Sequence, residues 1–277
     1  MSAPHSSSRR PPIPILSYHQ TDMVPPRGTP HRELVLPPAR FARQMRALAR
    51  IGWRGLSMRD LEPYLRGEKV GKVVGITLDD GFLNNYHHAL PVLRELGFTA
   101  TSFVVSQQIG GHNEWDRPAG VEVKPLMDLQ HLREWMDAGM EIGAHTRNHA
   151  DLLTCSEAQA VDEIAGSRHE LEALLQVQVR SFCFPYGRLR DEHVEIARAA
   201  GYATAATSDN WRVGADADLL RLPRISVWLS TPLPLLLAKV ATGYEEWRHN
   251  PILRAMLGRK PVKTAALAHP PVREPIS

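Results

Sequence analysis

The chain has 277 residues, 43% of them apolar and 23% charged, with a formal net charge of +3. That is enough to bury one large core, and the near balance of charge without a Lys/Arg block argues against a general nucleic-acid binder. The N-terminal apolar run Ile13-Pro14-Ile15-Leu16 is short and broken by proline, so neither a signal peptide nor a membrane span is expected, and the expected compartment is the cytoplasm. Cys155 and Cys183 lack metal-type spacing and are expected to be reduced structural thiols.

Residues 1–12 are rich in Ser and Pro and are expected to be disordered. A short strand is expected over Ile13–Tyr18, then a Pro/Gly-rich loop through Thr21–Pro30. Phe41, Met45, Leu48 and Ile51 recur at helical spacing within Pro38–Ile51, and a shorter helix is expected over Met58–Leu65. Val73–Leu78 is a continuous, β-branched apolar run bounded by glycine, as suits a strand buried on both faces. The alternation then continues with a helix over Asn84–Leu96 and a strand over Thr99–Val105. A polar loop, Gly110–Lys124, is followed by a helix over Asp128–Ala138 and a strand over Met140–Ala144. Next come a helix over Ser156–Leu175, a strand over Ser181–Phe184, a helix over Asp191–Ala200 and a strand over Tyr202–Ala206. Arg224–Trp228 and an apolar helix near Pro234–Trp247 complete the reading. Strands alternating with helices imply parallel pairing through right-handed crossovers. The expected architecture is a single-domain α/β fold, a distorted (β/α) barrel over residues 13–250, with a Pro-rich tail over 251–277.

The chemistry gathers just after the C-terminal ends of the apolar strands, where parallel α/β folds build their sites. Asp79-Asp80-Gly81 follows Val73–Leu78, His145-Thr146-Arg147-Asn148-His149 follows Met140–Ala144, and Pro185-Tyr186-Gly187 follows Ser181–Phe184. An Asp-Asp-Gly turn also serves a helix N-cap, and a His pair also occurs as plain surface chemistry. Position after buried strands favours function: one carboxylate and two imidazoles can share an ion while the second carboxylate remains as a base. Two histidines and one carboxylate leave coordination positions open for water and substrate, as in a catalytic metal site.

Thr77-Leu78-Asp79-Asp80-Gly81, His145-Thr146-Arg147-Asn148-His149 and Phe182-Cys183-Phe184-Pro185-Tyr186-Gly187 resemble, in order, the first three motifs of the polysaccharide deacetylase (NodB homology, carbohydrate esterase family 4) superfamily. The resemblance covers about Pro14 to Val227. It implies a distorted (β/α) barrel, one divalent metal, most often zinc, and hydrolysis of N-acetyl groups on glucosamine-type polymers. It implies Asp80, His145 and His149 as metal ligands, Asp79 as general base, and the Pro185-Tyr186 turn as the oxyanion site through the Tyr186 N–H.

Three departures qualify it. Leu78 stands where the family usually has phenylalanine. Cys183 stands where an arginine usually faces the base, and Arg224 in Leu222-Pro223-Arg224-Ile225 is the candidate replacement, weighed against a plain surface arginine. The family's closing Leu-x-His is matched in letters by Leu267-Ala268-His269, which has no strand before it. The strand Ile15-Leu16-Ser17-Tyr18 ending in His19 resembles the opening of the biofilm-polysaccharide deacetylase branch, whose motif order is permuted. His19 is therefore expected to be the acid that protonates the leaving amine, across the metal from Asp79. Trp115 in the polar loop is a candidate wall for a sugar groove.

The expected activity is metal-dependent removal of an N-acetyl group from an amino sugar of a polysaccharide or lipid-linked glycan. The alternatives are the same fold and metal acting on a small amide, such as a formamido sugar or cyclic ureide, or an inactive carbohydrate-binding homologue. A carbohydrate is the expected partner; the sequence does not give the oligomeric state.

Overall fold

The structure, a computed structural model, describes residues 10–249. The greater part of the N-terminal segment expected to be disordered, and the tail with Leu267-Ala268-His269, lie outside the described residues. Within that first segment Arg10 donates to the Gly214 carbonyl at 2.7 Å.

The chain opens with β1 (Ile15–Tyr18), β2 (Gln20–Thr21), β3 (Val35–Leu36), α1 (Pro38–Arg50), β4 (Arg54–Leu56), α2 (Met58–Leu65) and β5 (Val73–Leu78). There follow α3 (Leu83–His88), α4 (Leu90–Glu95), β6 (Thr101–Val104), α5 (Leu129–Asp137) and β7 (Glu141–Ala144). The run α6 (Glu157–Val161) continues through a π-helical turn (Asp162–Gly166) into α7 (Ser167–Leu175). The remaining elements are β8 (Ser181–Cys183), α8 (Asp191–Ala199), β9 (Thr204–Ala206), β10 (Ile225–Ser226), α9 (Leu233–Ala241) and α10 (Tyr244–His249).

Eight strands form one parallel sheet in the order β10-β1-β5-β6-β7-β8-β9, with β4 on the first half of the β5 edge that β6 uses further along. The sheet curls into a distorted barrel. Its first and last strands pair, Leu16 with Ile225 and Ser17 with Ser226. The gap between β9 and β10 is crossed by the parallel bridge Ala206–Leu222. Alternation along each strand sorts side chains inward and outward. Ile15, Val73, Phe103, Cys183, Ala206 and Leu222 form one apolar cluster inside, while Leu16, Ile76, Val104, Ile142, Phe182 and Ala205 pack outward under the helices.

Several local signals account for the helices. Ser57 caps α2 by accepting from the Asp60 N–H, and Asp128 caps α5 by accepting from the His131 N–H. Ser156 and Gln159 form a capping box at α6. The helix expected over Asn84–Leu96 is two, broken at Ala89, because Pro91 has no N–H to continue the ladder and instead sits in the first turn of α4. The expected Ser156–Leu175 helix carries the π turn, and the one near Pro234–Trp247 breaks between Ala241 and Tyr244. The polar loop holds a 3-10 turn, Glu114–Ala119. Cys155 and Cys183 are both free thiols, the second buried.

Candidate active site

The motifs continue ladders that the sheet has already begun. Asp79 donates its N–H to the Tyr18 carbonyl at 2.9 Å, His145 donates to the Val104 carbonyl at 2.9 Å, and Phe184 donates to the Ala206 carbonyl at 3.1 Å. The strand ends thus bring Asp79, Asp80, His145, His149, Pro185 and Tyr186 to one rim. Gly143 in β7 is required for this approach, because a Cβ there would stand 2.5 Å from the Phe103 ring. The turns are strained. Asp80, Thr146, His149 and Tyr186 all have left-handed backbones, with φ of 73°, 63°, 58° and 60°. Such conformations are costly for residues with a Cβ and concentrate where the surroundings hold a functional geometry.

Asp80, His145 and His149 converge. Asp80 Oδ1 lies 3.4 Å from His145 Nε2 and 3.3 Å from His149 Nε2, and the three residues are 6%, 3% and 6% exposed. These separations are long for N–H···O bonds, and Asp80 Oδ1 is buried with no hydrogen-bond partner among the described residues. They match the edge of a tetrahedron of ligands about 2.1 Å from a shared ion, which is about 3.4 Å. The outer nitrogens are held as ligand imidazoles usually are. His145 Nδ1 meets the Cys183 carbonyl at 2.7 Å, and His149 Nδ1 meets Tyr186 Oη at 2.9 Å. A carbonyl only accepts, so His145 Nδ1 carries hydrogen and, in the neutral ring, the Nε2 lone pair faces Asp80. Donor set and spacing therefore suit a divalent cation. Burial opposes the Asp80 charge, yet the adjoining His145 and His149 imidazoles hold its carboxyl well below the usual range.

Asp79 has a different partner. The Arg224 guanidinium, buried at 1% exposure, reaches Asp79 Oδ1 at 2.6 Å and Oδ2 at 2.8 Å. It also donates to the Thr207 carbonyl at 2.9 Å, Thr77 Oγ1 at 2.9 Å and Cys183 Sγ at 3.0 Å. Burial alone would raise the Asp79 pKa; the Arg224 charge outweighs it, and the carboxyl titrates below its ordinary value. Asp79, His145 and Cys183 also lie within metal-ligand reach of one another. That trio already holds a guanidinium, so the Asp80 trio is the better place for an ion.

His19 stands near Asp79, Nε2 to Oδ2 3.8 Å. Its carbonyl accepts from Asn85 Nδ2 at 2.6 Å. Trp115 stacks on the His149 ring, centroids 4.6 Å apart and planes 12° apart, so one indole face is already covered. Next to it Asp116, in the same loop that the sequence offered as a groove wall, is buried with Oδ1 3.7 Å from His31 Nδ1. Burial first, and then the Asp80 charge, raise the Asp116 pKa. Thr207 was missed, and Thr77 was read only as part of its motif without a role; the strand-end position of Thr207 is the one signal that could have marked it.

The polysaccharide deacetylase family profile matches residues 66–205. Among relatives, the Bacillus subtilis protein YxkH, a polysaccharide deacetylase by name, is 27% identical over 217 residues, 78% of this chain and 71% of that one. The poly-beta-1,6-N-acetyl-D-glucosamine N-deacetylase of Staphylococcus epidermidis is 27% identical over 180 residues, 60% of either protein. Among solved structures, the Streptococcus pyogenes deacetylase PplD, in complex with acetate, superposes with a TM-score of 0.73 at 26% identity, covering 83% of this chain and 99% of that one. Among the described residues no helix is long and apolar enough to cross a membrane.

Proposed function

The chain belongs to the polysaccharide deacetylase family, hydrolases of N-acetyl amide bonds, and on that premise we propose that it removes acetyl groups from a polymer of N-acetylglucosamine, with zinc at Asp80, His145 and His149. The observation that carries this reading is the meeting of Asp80 Oδ1 with two imidazole Nε2 atoms at 3.4 and 3.3 Å, beside a second carboxylate with its own cation. Two imidazoles in the donor set favour zinc over magnesium. The sugar is suggested by the Staphylococcus epidermidis relative, whose name specifies poly-beta-1,6-N-acetyl-D-glucosamine.

When bound, the ion supplies Lewis acidity at the amide carbonyl and lowers the pKa of the attacking water. The chain's own residues do the rest. Asp79 accepts the proton of that water as its oxygen bonds to the acyl carbon, and Arg224 fixes both carboxylate oxygens and keeps the group ionised. The Tyr186 N–H, in the turn after Pro185, donates to the oxyanion that develops on the former carbonyl oxygen. His19 gives a proton to the sugar nitrogen as the C–N bond breaks, so acetate and a free amine leave. With His19 Nε2 3.8 Å from Asp79 Oδ2, the acid and the base adjoin, and the proton gained by one can replenish the other.

The test is mass spectrometry of N-acetylglucosamine oligomers incubated with zinc-loaded protein. Loss of acetyl mass that depends on the metal supports the proposal. Unchanged oligomers with fully loaded protein would overturn the substrate assignment.

A further inference from the structure

The link between the two histidines, Thr146-Arg147-Asn148, is folded around one carboxylate 15 residues beyond Asn148. Glu163 Oε2 accepts the backbone N–H of Arg147 at 2.9 Å and that of Asn148 at 2.9 Å, and Oε1 accepts from Asn148 Nδ2 at 2.8 Å. Glu163 is 8% exposed and sits in the π turn Asp162–Gly166, the one interruption of the α6–α7 run. π turns change the phase of a helix and recur at functional sites. Here the turn and the first residues of α7 address the same link with several groups. Asp162 and Glu170 both pair with the Arg147 guanidinium. Gly166 leaves room for it, since a Cβ there would stand 2.8 Å from Arg147 Cδ. The link needs such support, because Thr146 and His149 both hold left-handed backbones.

We propose that Glu163 is a positioning residue for the metal site: its carboxylate templates the link so that both imidazoles meet Asp80 before any ion arrives. The proposal rests on the reading of Asp80, His145 and His149 as ligands. Glu163 touches neither the ion nor the substrate in this scheme. It acts through the backbone of Arg147 and Asn148, one step beyond the outer hydrogen bonds that usually orient ligand imidazoles.

The experiment is a cobalt(II) titration of metal-free wild type and of the Glu163→Ala, Glu163→Gln and Asp80→Ala variants. It is read by visible absorption and by competition with a chelator, with thermal melts of each metal-free protein alongside. Glu163→Ala is expected to bind cobalt about 10- to 100-fold more weakly, the usual cost of losing an outer support, with a changed ligand-field spectrum. Glu163→Gln keeps an oxygen for the two N–H donors and is expected to recover most of the affinity and the wild-type spectrum. In metal-free protein the Arg147 and Asn148 amide proton resonances should move upfield in Glu163→Ala, while the melt retains one cooperative transition. If Asp80→Ala loses cobalt but Glu163→Ala matches wild type in affinity and spectrum, the proposal is overturned and the ligand assignment stands. If wild type binds no cobalt, or Asp80→Ala binds it equally well, the ligand assignment fails and takes the proposal with it. Should Glu163→Ala not fold, Glu163→Gln decides: wild-type amide shifts and affinity support the template, and weak binding by a folded Glu163→Gln overturns it.

Discussion

Arg224 and Asp79 face each other through two short hydrogen bonds, 2.6 and 2.8 Å, with both side chains buried. The guanidinium comes from the residue before β10, yet it occupies the space beside Cys183, where a larger side chain from β8 could not coexist with it. Its planar fork fits a carboxylate in a way an ammonium cannot. Arg224→Lys is therefore expected to fold but to lose turnover, with Asp79 held by one bond instead of two. Arg224→Ala leaves a buried carboxylate without its cation and should cost about 3–5 kcal/mol of stability. Denaturant melts and turnover of the two variants check this; wild-type turnover in Arg224→Lys would remove Arg224 from the proposed machinery.

Asp79 and Asp80 are neighbours with different duties, and their substitutions should separate cleanly. Asp79→Asn is expected to keep its metal and lose about 100- to 10,000-fold in turnover, the usual cost of a missing general base. Asp80→Asn should lose the metal first. Elemental analysis beside turnover measurements reads both. Metal loss in Asp79→Asn with retention in Asp80→Asn would mean that the two roles are reversed.

Much of this site was legible because each motif follows a strand whose apolar run is itself legible. Val73–Leu78 announces Asp79 and Asp80; Met140–Ala144 announces His145. What could not be read was pairing between distant segments. Arg224 was named as the candidate to face Asp79 but could not be told from a surface arginine, because its reach depends on β10 lying beside β1, a register invisible in either segment alone. β4 was missed because Arg54-Gly55-Leu56 offers three residues between two helices, and Gly55 is there only to let Ile76 and Phe98 approach. The π turn leaves no periodic trace within a helical pattern, so Glu163 reads as one more helical residue. Trp115 reads as a loop aromatic, and nothing in its neighbours reveals the imidazole beneath it.

The stacking of Trp115 on His149 makes the indole a reporter. Paramagnetic cobalt or copper bound by His149 should quench part of the tryptophan emission, and Trp115→Phe should remove that part. Aromatic contacts of this kind are worth about 0.5–1.5 kcal/mol, so Trp115→Ala should weaken metal binding only a few-fold. Equal quenching in wild type and Trp115→Phe would show that the loop does not lie on the metal-facing imidazole in solution.

At the opposite end of the barrel Glu141 accepts from Thr101 Oγ1 at 2.6 Å, Ser181 Oγ at 2.6 Å and the Arg59 N–H at 2.7 Å. Burial outweighs these donors and raises its pKa. The folded protein thus holds this proton more tightly than the unfolded chain does. Its contribution to stability is fully present below the unfolded Glu value, about 4.3, and is lost as pH rises through the raised folded value. Glu141→Gln abolishes that loss. Urea melts across this window should show the variant gaining on wild type as pH rises; a difference that stays flat with pH refutes the assignment.

The identity of the acid is decided by two changes that should have opposite effects. His19 follows β1 directly, and its Nε2 lies 3.8 Å from the carboxylate proposed as base. A neutral His19→Ala change leaves Asp80, His145 and His149 untouched, so metal content should stay at wild-type level. Turnover should fall by about 100-fold or more, because an amine leaves poorly without a proton. The loss should shrink with an acyl substrate whose leaving group needs no protonation, such as an activated aryl ester, since only the departure step depends on His19. Deletion of the chain beyond Pro261, which removes His269, should leave turnover within a few-fold of wild type. If the deletion abolishes hydrolysis in a protein that still melts cooperatively and binds metal, while His19→Ala is harmless, the proton comes from the tail and His19 only closes the rim beside Asp79.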